Sequence, residues 1–300
     1  MAIMTPTPAD SVPSHDYFAR AQLLSGHLER PIDQTIEPQA AVSLDGPIDG
    51  HFSRHAENVS IEGFISFSRG RTRVSGARSL KDNGWVTLAT SVLEGLNVFE
   101  IFTADRLVSQ VSTDHPYKDG HFPHVTFLGT QFQGFRVGGF EPTLTLNLGI
   151  CERPAAGDRS FFQDQNFLRR VEEQASKIAG GRGLPKELKD EYDERLAYIK
   201  TLIGDGSAGE KGGHKPITCS LVQSIGEIPI PGVQSFGNVL LIPEFGTVRL
   251  AEIEVGEKAD SKTGRPNVYF TLTAAKMKLG CVGDGTLAAG GVQANGATYP

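Results

Sequence analysis

The chain has 300 residues, with 29 Lys and Arg against 35 Asp and Glu for a net charge of −6, so it lacks the basic footprint of a domain that wraps nucleic acid. With 39% apolar and 21% charged residues, wholesale disorder is excluded. Glycine is in excess at 35 residues, about 12% against a usual ~7%, and together with 17 prolines it points to a turn-rich β protein.

Residues 1–40 read as an N-terminal arm. Ser14 is placed as an N-cap, and Phe18, Ala21, Leu24 and Leu28 recur at helical spacing, which predicts a short helix ending before Pro31. Such an arm docks on its own domain or on a neighbouring subunit. Residues 41–158 form a first β region, with strands expected at 60–68, 85–92, 97–102, 106–112, 125–128, 132–137 and 143–148. These runs are rich in β-branched and aromatic residues, and turn clusters such as Lys81-Asp82-Asn83-Gly84 separate them. Trp85, the only tryptophan, reads as a core anchor.

Residues 159–213 break the pattern. Phe167, Leu168, Val171, Ala175 and Ile178 mark one amphipathic helix, stopped by Gly180-Gly181. Leu188, Tyr192, Leu196, Ile199 and Ile203 mark a second, with Pro185 in its first turn and Gly204 at its end. A Gly-rich connector follows to residue 213. Residues 214–282 form a second β region that completes the same domain or makes another, with strands at 217–222, 238–242, 247–255, 268–273 and 276–281. In the third of these, Glu252 and Glu254 alternate with Ile253 and Val255 and read as an exposed face. Residues 283–300, rich in Gly, Ala and Asn, read as a disordered tail.

The fold expected is therefore mainly β, an antiparallel sandwich or barrel with an inserted helical hairpin at about 160–204. A faint internal resemblance relates 93–98, 125–128 and 134–137 to 243–248, 268–272 and 277–279, as though two related β units made the fold.

Several chemistries lack their signatures. The sequence has no G-x-S-x-G elbow, no H-E-x-x-H and no phosphate-binding P-loop. The glycine pairs of 283–291 have no strand–loop–helix context, so no nucleotide cofactor is expected. The three cysteines, Cys151, Cys219 and Cys281, are far apart and form no C-x-x-C pair, which favours a reduced interior. No apolar run reaches the ~18 residues of a membrane helix, and the first residues carry no secretory pattern. The expected location is the cytoplasm, with neither membrane nor nucleic acid as a partner.

Three constellations carry potential chemistry. Asp114-His115-Pro116-Tyr117-Lys118-Asp119-Gly120-His121-Phe122-Pro123-His124 gathers three of the eight histidines. The tetrapeptide Asp-Gly-His-Phe recurs at Asp49-Gly50-His51-Phe52, again with a histidine, His55, close behind. His51, His55, Asp114, His115, His121 and His124 are the candidate ligands for a divalent transition metal; the plainer reading is a pair of turn-rich surface loops. Arg69, Arg71 and Arg73 would share one face of an extended strand, a strip suited to carboxylate or phosphate ligands, unless Gly70 makes a turn there. Glu100, between Val98 and Phe102, would have its pKa raised by apolar neighbours and act as a general acid or base alongside His121 and His124, or simply pair with an arginine.

Two functions follow. The first is a non-catalytic β protein that binds a small ligand or forms a homo-oligomer. The alternative is an enzyme without an organic cofactor, a lyase, isomerase or hydrolase, metal-dependent or not, using loops 49–55 and 114–124. It requires those loops to meet in one pocket.

Overall fold

The structure, a computed structural model, describes residues 14–30, 32–80, 83–117, 122–152, 160–205, 214–259, 266–280 and 284–299. In chain order the strands are β1 (Ser14–Leu28), β2 (Gln34–Ile36), β3 (Val42–Gly46), β4 (Gly50–Ile61), β5 (Ile65–Arg78), β6 (Trp85–Val98), β7 (Phe102–His115), β8 (His124–Thr126), β9 (Gln131–Gln133), β10 (Arg136–Val137) and β11 (Leu144–Leu146). Helices α1 (Gln165–Ala179) and α2 (Lys186–Asp205) follow, preceded by a single 3-10 turn at Phe161–Gln163. The chain then returns to strands: β12 (Ile217–Ser220), β13 (Val222–Ile225), β14 (Gln234–Phe236), β15 (Val239–Ile242), β16 (Gly246–Ala259), β17 (Pro266–Leu279) and β18 (Gly285–Tyr299).

Two antiparallel sheets pack face to face. Sheet A runs β14-β15-β16-β17-β18-β1-β2, with β3 also on β1 and β12 also on β16. Sheet B runs β10-β7-β6-β5-β4, with β8 and β9 also on β7. Both sheets are open, so the fold is a sandwich and not a barrel. A small β11–β13 ribbon stands beside them. The layers meet where β1, β17 and β18 lie against β5, β6 and β7. Leu23, Leu93, Val111, Leu272 and Phe270 are fully buried there, each worth about 1.5–3 kcal/mol in apolar transfer. Hydroxyls cross the interface as well: Ser91 donates to the Gln22 carbonyl at 2.9 Å, and Thr72 to the Ala40 carbonyl at 2.5 Å.

Strand β6 changes phase along its length. In β6 the buried positions are odd-numbered from Trp85 to Leu93 and even-numbered at Leu96 and Val98. Gly95, at φ 65°, sits at the change of phase and takes a left-handed conformation that a side chain would resist.

The helical hairpin is as the sequence predicts. Asp164 caps α1 by accepting from the Asn166 and Phe167 N–H groups at 3.0 and 3.1 Å. The five apolar residues of its stripe are all buried. The Gln174 amide accepts from the Ser220 N–H at 2.8 Å and donates to the Ser220 carbonyl at 2.9 Å. It thus takes the place of a strand beside β12 and protects that edge. Helix α2 reaches β16 through Glu191 and Arg195, whose partners are Arg249 and Glu252.

Several expectations are corrected. Residues 14–28 are no helical arm but strand β1, which pairs with β18 along its whole length and with β3 and β2 on its other side. Residues 285–299 are no disordered tail but β18, between β17 and β1. Sheet A therefore takes strands from both ends of the chain. The strand expected at 60–68 is interrupted by the turn at 62–64 that joins β4 to β5, and that expected at 97–102 by the turn at 99–101 that joins β6 to β7. Glu252 is buried, because α2 covers the face it points to. A three-strand meander does occur twice, as β5-β6-β7 and as β16-β17-β18. The segments matched in sequence are not its equivalent parts: 93–98 closes β6, whereas 243–248 opens β16.

Cys151 and Cys219, 68 positions apart in the chain, are neighbours in the core and both are buried free thiols. Burial, and then the hydrogen bond to Cys219, pushes the Cys151 thiol well above its ordinary range. Thiolate is the form that reacts, so iodoacetamide is expected to leave both cysteines unlabelled in native protein and to label them after denaturation. Native labelling of Cys151 at the rate of a free thiol, mapped by peptide mass spectrometry, would contradict this arrangement.

Candidate functional site

The predicted site residues fall into separate places. Along β4 and β5 the register sets His51 beside Ser75, Ser53 beside Arg73, His55 beside Arg71 and Glu57 beside Arg69. Directly paired residues share a face, so His51, His55, Arg69, Arg71 and Arg73 all stand on the outer face of sheet B. Gly70 continues the strand, and the extended reading of the arginine strip holds. Arg69 is taken up by Glu94, which Arg106 also approaches at 3.7 Å. Arg71 and Arg73 are exposed and form no ion pair with a described residue.

Among the described residues, the histidines of the 49–55 loop and His124 are not brought together. His124, on β8, is exposed and pairs with Asp114 of β7. β5, β6 and β7 separate β8 from β4, four strand spacings, or about 19 Å. His115 is buried on the inner side of sheet B, away from His124. His121 lies outside the described residues. Among the described residues no three His, Cys, Asp or Glu side chains gather to hold a metal ion. Glu100 is corrected too: it sits with Phe99 in the β6–β7 turn, both at positive φ, and is exposed. Its N–H donates to Asn97 Oδ1 at 2.8 Å. No apolar pocket surrounds it.

A cluster that the sequence reading did not assemble lies where β1 begins and β7 ends. The His15 ring stacks on Trp85 with centroids 5.1 Å apart and leans on His115 at 4.7 Å. Tyr17 meets His15 edge-on at 4.9 Å, and its hydroxyl donates to Asp49 Oδ1 at 2.6 Å. Arg78 lies over Trp85 at 5.6 Å. Glycines make the room: a Cβ on Gly296 would come within 2.2 Å of His15 Nε2, and one on Gly76 within 2.5 Å of the Tyr17 ring. Burial, opposed by Asp16 and Asp49, lowers the His15 pKa to about 4. Desolvation keeps this imidazole neutral, suited to a packed core. The alternation of His15, Tyr17, Ala19 and Ala21 was the signal available for it.

Among the long strands, β4 alone buries no residue. It ends sheet B, and Phe52 is 51% exposed on the side facing sheet A. Ile48, in the loop before it, is 78% exposed. β4 overhangs sheet A, with apolar side chains uncovered beside an open backbone edge.

A model of one family, the Domain of unknown function (DUF8256), matches residues 15–256. The chain belongs to this family. The matched DUF8256 region begins in β1 and ends in β16, so β17 and β18, which stand between those strands in sheet A, lie beyond it. No curated protein and no solved structure matches the chain. No described helix is long and apolar enough to cross a membrane.

Proposed function

We propose that this protein is a non-catalytic β sandwich that assembles with a second copy of itself through β4. The observation that carries this reading is the twelve-residue end strand, exposed on both faces. A strand of that length, about twice the usual 5–6 residues, offers a ladder of free N–H and C=O groups, which natural sheets either blunt or use for pairing. Its charges suit an antiparallel copy. Glu57 stands on the same face as His51 and His55, and Arg54 on the opposite one. A two-fold pairing centred on Ala56 sets Glu57 of each copy against His55 of the other and keeps the two Arg54 side chains apart. A pairing centred on Arg54 would set them against each other. Phe52 and Ile48 are then covered by the partner, and the exposed Arg71 and Arg73 flank the joint.

Analytical ultracentrifugation of the full chain tests this. A dimer is expected, with Phe52→Lys and Glu57→Lys each shifting it towards monomer while leaving the thermal melt nearly unchanged, because both side chains are exposed. A monomer at every concentration, or an oligomer indifferent to both substitutions, would overturn the reading.

A further inference from the structure

The outer face of sheet A holds a groove of about 510 Å³, within the range of small-molecule sites. Its floor is an ordered grid. Ser43 pairs with Arg20, Arg20 with Gln293 and Gln293 with Thr271; in the next row Gln22 pairs with Gly291 and Gly291 with Thr273. These six polar side chains stand around a glycine, where a Cβ would come within 3.1 Å of the Gln22 side chain. The 38–43 segment walls one side.

We infer that this groove binds a small polyhydroxylated carboxylic acid, a sugar acid in chemical class. Gln293 offers donors and an acceptor, Gln22 keeps an acceptor and one donor beside its 2.8 Å hydrogen bond to Ser25 Oγ, and Ser43, Thr271 and Thr273 can give and accept. Sugar hydroxyls have the same double capacity, so such a ligand can satisfy each of them. Arg20 is the one charged residue among the described lining residues, and it forms no ion pair with any described residue. The next cation along the sheet, Lys276, is engaged by Glu252 at 2.9 Å and Glu254 at 3.5 Å. A single guanidinium, stacked over the Phe18 ring at 4.7 Å and without an acid partner among the described residues, matches a monoanion and a planar carboxylate, which it can hold through two parallel hydrogen bonds. A phosphate dianion would lack a second cation. No catalytic group is needed, because the ligand is held and not transformed. The inference is independent of the pairing of β4, which belongs to the other sheet.

Isothermal titration calorimetry of the full chain with D-glucuronate, D-galacturonate and D-gluconate, and with D-glucose and inorganic phosphate for comparison, is the test. At least one of the three acids is expected to bind saturably at one per chain, and glucose more weakly. Arg20→Gln is expected to weaken the acid about tenfold or more, the loss of a charge-assisted hydrogen bond. Gly291→Val, which fills the floor, is expected to abolish binding with the circular dichroism spectrum unchanged. Failure of all three acids to bind, phosphate binding in their place, or acid binding indifferent to both substitutions would overturn the proposal.

Discussion

Acidification from about pH 7 to about pH 4 is expected to remove about 3 kcal/mol of folding stability through His15 alone. The ring lies between Trp85, Tyr17 and His115, 2% exposed, and burial lowers its pKa from 6.5 to about 4 against the pull of Asp16 and Asp49. An unfolded chain takes up the proton near 6.5, and the folded one only near 4. Within that window the unfolded state therefore binds more protons, and stability falls as pH falls. Above it the contribution is complete. At about 1.4 kcal/mol for each pH unit of the window, the loss accumulates to the figure given. Urea denaturation at several pH values measures it. His15→Leu, which keeps an apolar side chain in the cluster and removes the titrating group, should flatten the curve between about pH 6.5 and about pH 4. Parallel curves for the two proteins would show that His15 is not held neutral by burial.

How far this cluster was legible in the sequence depends on the kind of signal involved. Residues 14–28 contain Ala, Leu, Arg and Gln, all good helix formers, and Phe18, Ala21, Leu24 and Leu28 fall at helical spacing. The same stretch alternates, with His15, Tyr17, Ala19, Ala21 and Leu23 on one face. Pairing with β18 on one side and β3 on the other decided between the two periods, and neither partner is adjacent in sequence. The Gly- and Ala-rich end failed for a related reason. Small residues usually mean disorder, yet here Gly296 admits the His15 and His115 rings and Gly290 lies against Ser109. Composition cannot tell a segment with nothing to bury from one that must fit beneath a neighbour.

Short-range signals fared better. The stripe of α1, the Gly180 stop and the extended run Arg69–Arg73 needed only local periodicity. The histidine loops needed distance information: recurrence of Asp-Gly-His-Phe placed two segments under suspicion, but strand order puts His51 and His55 at the end of sheet B and His124 on β8, beyond β7. Asp49 and His115 do approach, each touching the Tyr17–His15 pair, while His51 and His55 run along β4 and away from it. Exposure of β4 also required the topology, because its sequence does not say which strand ends the sheet.

Glu252→Ala is expected to cost about 3–5 kcal/mol, the range for breaking a buried ion pair from one side. Alternation places Glu252 correctly opposite Ile253, but α2 then covers that face and leaves the carboxylate side chain 3% exposed. Lys276 donates to it at 2.9 Å, and Arg195 and Arg249 stand at 3.5 and 3.9 Å. Burial alone would raise its pKa. Lys276, Arg195 and Arg249 outweigh that and hold it below the ordinary value. Without the carboxylate, Arg249 and Arg195, mostly buried themselves, keep only Glu191 as acid partner. Lys276→Ala should cost much less, because that side chain is half exposed and solvent replaces its partner. Thermal unfolding of the two variants compares the losses directly, and equal losses would mean that Glu252 does not organise the α2–β16 contact. The two acid effects also separate. Since the Glu252 pKa is depressed, its contribution is present above the ordinary carboxylate range and is lost only as pH falls through the lower folded value. A His15→Leu protein should therefore hold its stability through the window in which His15 titrates and lose it below, where Glu252 takes up its proton.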